Sequence, residues 1–468
     1  VGESSTTIHP VIRVSHRLAG LFLCGLVLQG CRESAPDGLA LVGATLIDGT
    51  GGPPLTDAAI VVRQGTIEFV GPRSAFELPK KTRELDVTGR WIIPGLIDAH
   101  CHLAPAADWA PSRYLAWGVT TLRDVHGDLN KILHDRKRAN LGPGNNPRVY
   151  AAGAMIDGLP ATYPDAIAVN TENDARKAVD RLVSASVDLI KVYTHVDPAL
   201  LRAIVDEAHA FNLSVTGHLG MTDALAAAKI GISGIEHMSG VPEAASKDPS
   251  ALFAAHYRGF WQGWTASERS WADLDSAALT RVAARLADQK VTIIPTLILH
   301  ETLSRLDDPA VLNDAALADV PATQLKEWDV SGLIARAGWT EADFESFRRS
   351  RPKQDFFLRV FAATGGRIAA GTDASNQLIV PGYSEHREME LLVRAGLSPR
   401  EALRAATRNG AVLLGVDSLG LLAPGKAADL VVLTKDPLAD IRNSRAIQSV
   451  MIRGHLLDAD SIRATWPQ

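Results

Sequence analysis

Cysteine is almost absent from this chain: Cys24, Cys31 and Cys101 are the only three in 468 residues. That scarcity excludes a disulfide-built scaffold, so stability has to come from the size of an apolar core. A surplus of positive charge is missing too. Lys and Arg number 48 against 53 Asp and Glu, a net charge of −5, and no long basic run occurs. A nucleic-acid partner is therefore not expected. Beyond the N-terminal region no uninterrupted apolar stretch reaches the roughly 18 residues of a membrane-crossing helix. No Gly-x-Gly-x-x-Gly turn is present, which removes the usual signature of an open dinucleotide-binding sheet. The remaining composition, 46% hydrophobic and 22% charged, is that of an ordinary globular protein. Its length suits one large domain with a smaller one beside it.

The N-terminus departs from this pattern. Arg13 and Arg17 precede an apolar run, Leu18 to Gly30, too short to span a bilayer comfortably. A basic segment followed by such a run reads as a secretory signal over residues 1–30. It ends in Leu28-Gln-Gly-Cys31, which resembles a bacterial lipobox, although Gln29 is unusual there. The resemblance implies cleavage before Cys31 and lipid on its sulfur. The expected location is then outside the cytoplasm, at the periplasmic face of a bacterial membrane, the outer membrane first, with that lipid as the sole membrane contact. A buried helix with an incidental cysteine is the alternative. With Cys24 removed and Cys31 acylated, only Cys101 remains, and no intrachain disulfide is expected.

Residues 31–38 form a short polar linker. From 39 to 90 the pattern is of short β-type runs (39–47, 58–63, 67–70 and 84–87) broken by Gly and Pro, with no helical period. From 91 to 415 it becomes strand then helix, repeated. Strands are expected at 97–103, 119–126, 148–156, 189–195, 214–220, 234–239, 292–300 and 367–374. Helical stretches such as 173–184, 198–210 and 222–229 lie between them. Eight such repeats fit an α/β fold, a (β/α)8 TIM barrel with insertions. After the capping-box sequence Ser398-Pro-Arg-Glu401 and a helix to 414, further β runs at 429–433 and 447–453 fall in residues 416–468. These would join the N-terminal runs, so that the barrel is inserted into a small β-sandwich made from both ends of the chain. Two long connections, 241–290 with Trp261, Trp264 and Trp271 and 301–366, are either substrate walls or extra helices packed outside.

Chemistry-bearing residues gather at the predicted strand ends. Alternation along a strand points His100 and His102 the same way. Further strands end in Lys191-Val-Tyr193-Thr-His195, Thr-Gly-His218, Ile-Glu-His237 and Gly-Thr-Asp373. Carboxyl ends of barrel strands are where such folds keep their chemistry, and imidazoles converging on one point suit a transition metal. Lys191 sits in an apolar strand, where burial lowers an amine's pKa. A free amine there can take up CO2 as a carbamate, a two-oxygen anion able to bridge two cations; an ordinary ion pair with a carboxylate is the other reading. His126, Tyr193 and His195 share the parity of inward-facing neighbours and are candidates to touch substrate. Cys101 has the opposite parity and is read as a small buried side chain.

Taken in order, Pro94-Gly-Leu-Ile-Asp-Ala-His-Cys-His102, Gly118-Val-Thr-Thr-Leu-Arg-Asp124, Ile190-Lys191, Gly217-His218, Ile235-Glu-His237, Gly371-Thr-Asp373 and the tail motif Gly425-Lys-Ala-Ala-Asp-Leu-Val-Val432 resemble the amidohydrolase superfamily. The likeness is to its binuclear, carboxylated-lysine branch with prolidase-like and imidazolonepropionase-like members. The resemblance implies that His100, His102 and Asp373 hold one metal, His218 and His237 a second, and a carboxylated Lys191 bridges them. A hydroxide between the metals would attack the carbonyl, and Asp373 would take its proton and return it to the leaving amine. Zinc fits these donors, with other divalent ions open. The deaminases of the superfamily resemble His-x-x-Glu at the fifth strand; Met221 stands in the Glu position here, which favours amide hydrolysis. The implied substrate is a small molecule such as a dipeptide or N-acyl amino acid. A cyclic amide, lactone or phosphoester, and a silent binding protein, are the alternatives. The superfamily's symmetric assemblies make a homo-oligomer compatible with this reading.

Overall fold

The computed structural model describes residues 38–141 and 145–466. The expected signal, lipobox, Cys24 and Cys31 lie outside these residues. Strands from both ends of the chain meet in one eight-stranded sheet. The N-terminal members are Gly38–Leu46, Leu55–Arg63, Thr66–Pro72, Thr82–Asp86 and Trp91–Pro94; the C-terminal ones are Leu430–Leu433, Ile447–Ile452 and His455–Asp458. The short strand Trp91–Pro94 ties the halves together. It runs parallel to the end of Gly38–Leu46 and antiparallel to Leu430–Leu433, with Ile93 opposite Val431. The Pro94-Gly95 turn is where the chain passes from this sheet to the barrel: Gly95 N still donates to Asp429 O (2.9 Å), and Leu96 N to Gly118 O (3.0 Å). The sandwich is a single hydrogen-bonded sheet curled over its apolar face. Leu41, Ile60 and Ile67 from one end share a buried cluster with Leu430, Val432 and Met451 from the other. Ile67 N donates to Lys426 O (2.9 Å) where the sheet folds back on itself.

Eight parallel strands in consecutive order make the (β/α)8 barrel. Leu96–Cys101, Val119–Asp124 and Arg148–Ala151 form one ladder. Ile156–Gly158 continues the third strand into a second ladder with Ile190–Val192, Val215–Gly217, Gly234–Glu236, Thr292–Ile294 and Arg367–Ile368. The two ladders join through backbone hydrogen bonds beyond the regular strands. Ala99 N donates to Ala370 O (2.9 Å) and Thr372 N to His100 O (3.1 Å) at one seam; Asp188 N donates to Ala151 O (2.9 Å) at the other. The strands are shorter than expected. The run 292–300 splits into a strand and the helix Leu297–Leu303, which places His300 on a helix. The run 148–156 is interrupted, and Ile167–Val169 adds a strand beside Ile156–Gly158.

Both long insertions are helical. Trp271 is buried against Phe357 of the long helix Glu341–Ala363 (5.9 Å between rings) and belongs to the core. Trp261 and Trp264, on Phe260–Ser270, face a cavity at the barrel mouth. The first insertion therefore contributes both to the core and to the lining of the cavity. Cys101 is buried and unbridged. Among the described residues no helix is long and apolar enough to cross a membrane.

Candidate active site

The first barrel strand is buried along its length, and its alternation survives to the end. Cys101 offers its thiol to the Arg123 carbonyl (3.6 Å), while His100 and His102 on either side of it line the cavity. Of the other expected ligands only Lys191 lies within a strand. The fifth, sixth and eighth strands stop at Gly217, Glu236 and Ile368, so His218, His237 and Asp373 come after the regular pairing has ended. His237 (φ 58°) and Asp373 (φ 63°) take left-handed backbone, a strain of about 1–3 kcal/mol each. In a regular strand Glu236 and His237 would face opposite ways. The turn at His237 lets both reach the barrel interior.

Proton positions follow from the partners of each ring. Nδ1 of His100 donates to Glu236 Oε2 (2.6 Å), and Nδ1 of His102 donates to the His126 carbonyl oxygen (3.2 Å). Each ring then turns Nε2 toward the cavity. Both face the same atom, Asp373 Oδ1, at 3.1 and 2.9 Å. That buried oxygen has no aligned hydrogen bond. Against the pull of burial, Asp373 raises the His102 pKa, so the positive charge these atoms need comes from a proton on the ring or from a cation. Donor atoms of His100, His237 and Asp373 all lie within 4.8 Å of one another, and the His218 ring is 4.8 Å from that of His237. Imidazole nitrogens and a carboxylate gathered this way fit a divalent ion such as zinc.

The electrostatics agree with that fit. Burial would raise the Asp373 carboxyl, but His100 and His102 hold it well below the usual carboxylate range. Burial, helped by Lys191, holds His218 well below the ordinary imidazole value; burial, with His100, does the same for His237. Neutral imidazole is the form that ligates metals. Lys191 is 2% exposed, and burial pulls its pKa down to about 8, with Glu236 and Asp373 opposing and Arg123 assisting.

Glu236 is the residue that sequence reasoning left without a role. It is wholly buried and accepts from His100 Nδ1, from Arg123 Nη1 (3.0 Å) and from the Thr216 hydroxyl. Arg123, His100 and Lys191 keep it ionised against the pull of burial. A charged residue in the apolar strand Gly-Ile-Glu was as odd as Lys191 and carried the same signal. Its oxygen fixes the tautomer and orientation of His100. Replacing Glu236→Gln keeps the shape and removes the charge. Metal affinity, measured by chelator competition, should fall about 10–100-fold. Behind His237, Thr296 Oγ1 meets Nδ1 (2.6 Å), and His300 Nε2 donates to the His237 carbonyl oxygen (3.2 Å).

One cavity of about 490 Å³ is lined by His100, His102, Lys191, His218, His237 and Asp373, and also by His126 and Tyr193. His126 accepts from Met155 N (3.3 Å) and faces Asp165 Oδ1 (3.2 Å); burial and the nearby His102 draw its pKa down to about 4, with Asp165 opposing. The Tyr193 ring stacks on Phe260 (5.9 Å) and lies 4.9 Å from His218. Burial, with Tyr163 and Asp373 adding to it, raises its pKa well above the usual phenol value. Tyr193 is therefore a neutral hydrogen-bond donor. His195 does not line this cavity. Its strand ends at Val192, alternation stops there, and the ring turns to the His256 carbonyl oxygen (3.1 Å) and toward Asp157.

An eight-stranded parallel barrel with imidazoles, a buried lysine and a carboxylate at the carboxyl ends of its strands defines a class, the metal-dependent hydrolase barrels. The chain belongs to the amidohydrolase family, which it matches over residues 91–457. Ochratoxinase of Aspergillus niger is 24% identical over 486 residues, covering 88% of this chain and 85% of that protein. Imidazolonepropionase of Rhizorhabdus wittichii is 27% identical over 407 residues, covering 80% and 88%. A Xaa-Pro dipeptidase crystallised with methionine in its active site superposes with a TM-score of 0.67 over 90% of this chain and all of that one; at 19% identity this likeness shows the fold. The protein is an enzyme acting on carbon–nitrogen bonds.

Proposed function

We propose that this enzyme hydrolyses the amide or peptide bond of a small molecule, such as a dipeptide or an N-acyl amino acid, using two divalent ions, zinc first among them. The observation that carries the proposal is the convergence of imidazole and carboxylate donor atoms: His100 and His102 Nε2 meet Asp373 Oδ1 at 3.1 and 2.9 Å, and donor atoms of His100, His237 and Asp373 lie within 4.8 Å of one another, an arrangement that suits a cation. His100, His102 and Asp373 would hold one ion and His218 and His237 the other. Lys191, buried beside both groups, would bridge them as a carbamate made from CO2. Bound there, the ions supply a water of lowered pKa and a Lewis acid for the scissile carbonyl. Asp373 accepts the proton of the attacking water at its carboxylate and passes it to the departing amine nitrogen. The Tyr193 hydroxyl donates to the oxygen on which negative charge develops. Tyr163 and Phe260 pack their rings around Tyr193 and fix its direction.

The test is metal analysis of the purified protein joined to an amide panel. Close to two equivalents of divalent metal are expected, with hydrolysis abolished by chelation and restored by zinc with bicarbonate. Well under one equivalent, and no hydrolysis after reconstitution, would overturn the reading.

A further inference from the structure

The cavity has two unlike sides. In a ring of eight strands, the loops after strands two and three stand across the mouth from those after strands six and seven. The first pair of loops supplies the charged and polar side chains His126, Asp128, Lys131 and Asp165, with Met155 and Tyr163 beside them. The second pair, which are the two insertions, supplies Trp261, Leu299, Leu303, Leu306, Val330 and Leu333. Not one of these six is polar. Leu299 and Leu303 lie one turn apart on the helix Leu297–Leu303, Leu306 follows in the turn after it, and Val330 and Leu333 share a face of Val330–Ala337. Packing alone accounts for Leu299 and Leu306, which are buried, but not for the rest. Trp261, Leu303, Val330 and Leu333 keep part of their surface open while lining the same space as the metal-site imidazoles. Water against such a wall makes few hydrogen bonds, and an apolar group gains by displacing it.

We propose, resting on the amide-hydrolase reading above, that the substrate is an amphipathic amide. One of the two groups joined by the scissile bond is bulky and apolar, an aromatic ring or a chain of about six carbons. It lies along the insertion wall. The other group is polar and points toward His126 and Asp165. The bond between them crosses the imidazole cluster.

The experiment uses the zinc-loaded full-length enzyme and two series of N-acyl amino acids. One lengthens the acyl group from acetyl to octanoyl and benzoyl on a fixed polar amino acid. The other keeps acetyl and enlarges the amino-acid side chain from alanine to norleucine and phenylalanine. In one series kcat/KM should climb roughly fourfold per methylene, reaching about 100-fold or more across the series. Leu303→Asn and Val330→Asn should flatten that climb. Binding of the unreactive apolar products, followed by Trp261 and Trp264 fluorescence, should tighten by similar increments with or without metal. Hydrolysis of the short members with both series flat would overturn this inference and leave the amide-hydrolase reading standing. Absence of any metal-dependent hydrolysis would instead overturn that reading. The fluorescence increments would then still decide for the apolar wall, and their absence against it.

Discussion

Lys191→Ala should lose bound metal and at least about 10³-fold in kcat/KM, more than the 10–100-fold typical of an outer-shell change. The residue is 2% exposed, so its amine has no solvent role to fall back on. It lies beside Glu236 and Asp373, which both act on it electrostatically. As a carbamate it would carry the negative charge that holds two cations close together; as an alanine it leaves a channel where stem and anion had been. Short carboxylic acids such as acetate or propionate fit that space and present the same two oxygens. They should restore about tenfold or more of the lost activity at millimolar concentration. Lys191→Met fills the channel without an amine, so it should be as inactive and should not respond to added acid. The fold is expected to hold in both variants, because Arg123 and His100 still partner Glu236; circular dichroism checks this. Unchanged metal content and kinetics in Lys191→Ala would remove the carbamate from the mechanism.

The contrast between Lys191 and His195 shows what could be read from the residues alone and why. Lys191 stands inside a strand, where period-two alternation is enforced by the ladder, and its inward direction was legible. His195 stands three residues past the last paired one, where nothing enforces alternation, and parity gave the wrong direction. His237 and Asp373 also lie past their strands, yet the structure brings them to the cavity. They arrive there by left-handed turns that no alternation rule describes. What made them visible was residue type at the end of an apolar run. Glu236 stands next to His237, and two inward-facing neighbours in sequence violate the strand rule unless a turn such as the one at His237 intervenes. The barrel itself was plain in the repeat of eight. Its strand lengths were not, since apolar loop residues that plug the barrel mouth read like continued strand. Leu297–Leu303 is the clearest case, a helix whose buried residues Leu297, Ile298 and Leu299 prolong the apolar run of Thr292–Ile294. The apolar wall was out of reach for a different reason. Its members come from two insertions far apart in sequence, and only the ring order of the strands places them together.

Asp373→Asn should lower kcat for ordinary amides by about 10⁴-fold, at the upper end of what loss of a general acid–base group costs. Asparagine keeps the outline of the side chain and retains an oxygen near His100 and His102, so the local geometry should be preserved. What disappears is a proton acceptor that stays ionised well below the usual carboxylate range because two imidazoles face it. A low pKa makes Asp373 a weak base in isolation, so its value lies in position: it touches both rings and opens onto the cavity. Two roles, ligand and proton carrier, can be separated by the leaving group. An amine of ordinary basicity cannot depart without a proton, whereas a p-nitroanilide needs far less help. If Asp373 delivers that proton, the variant reconstituted to equal metal content should lose much less on the anilide than on the matching alkyl amide, by about 10²-fold. An equal loss on both would confine Asp373 to holding the metal and move the proton to another group at the mouth, for which Tyr193, neutral and 4.9 Å from the His218 ring, is placed.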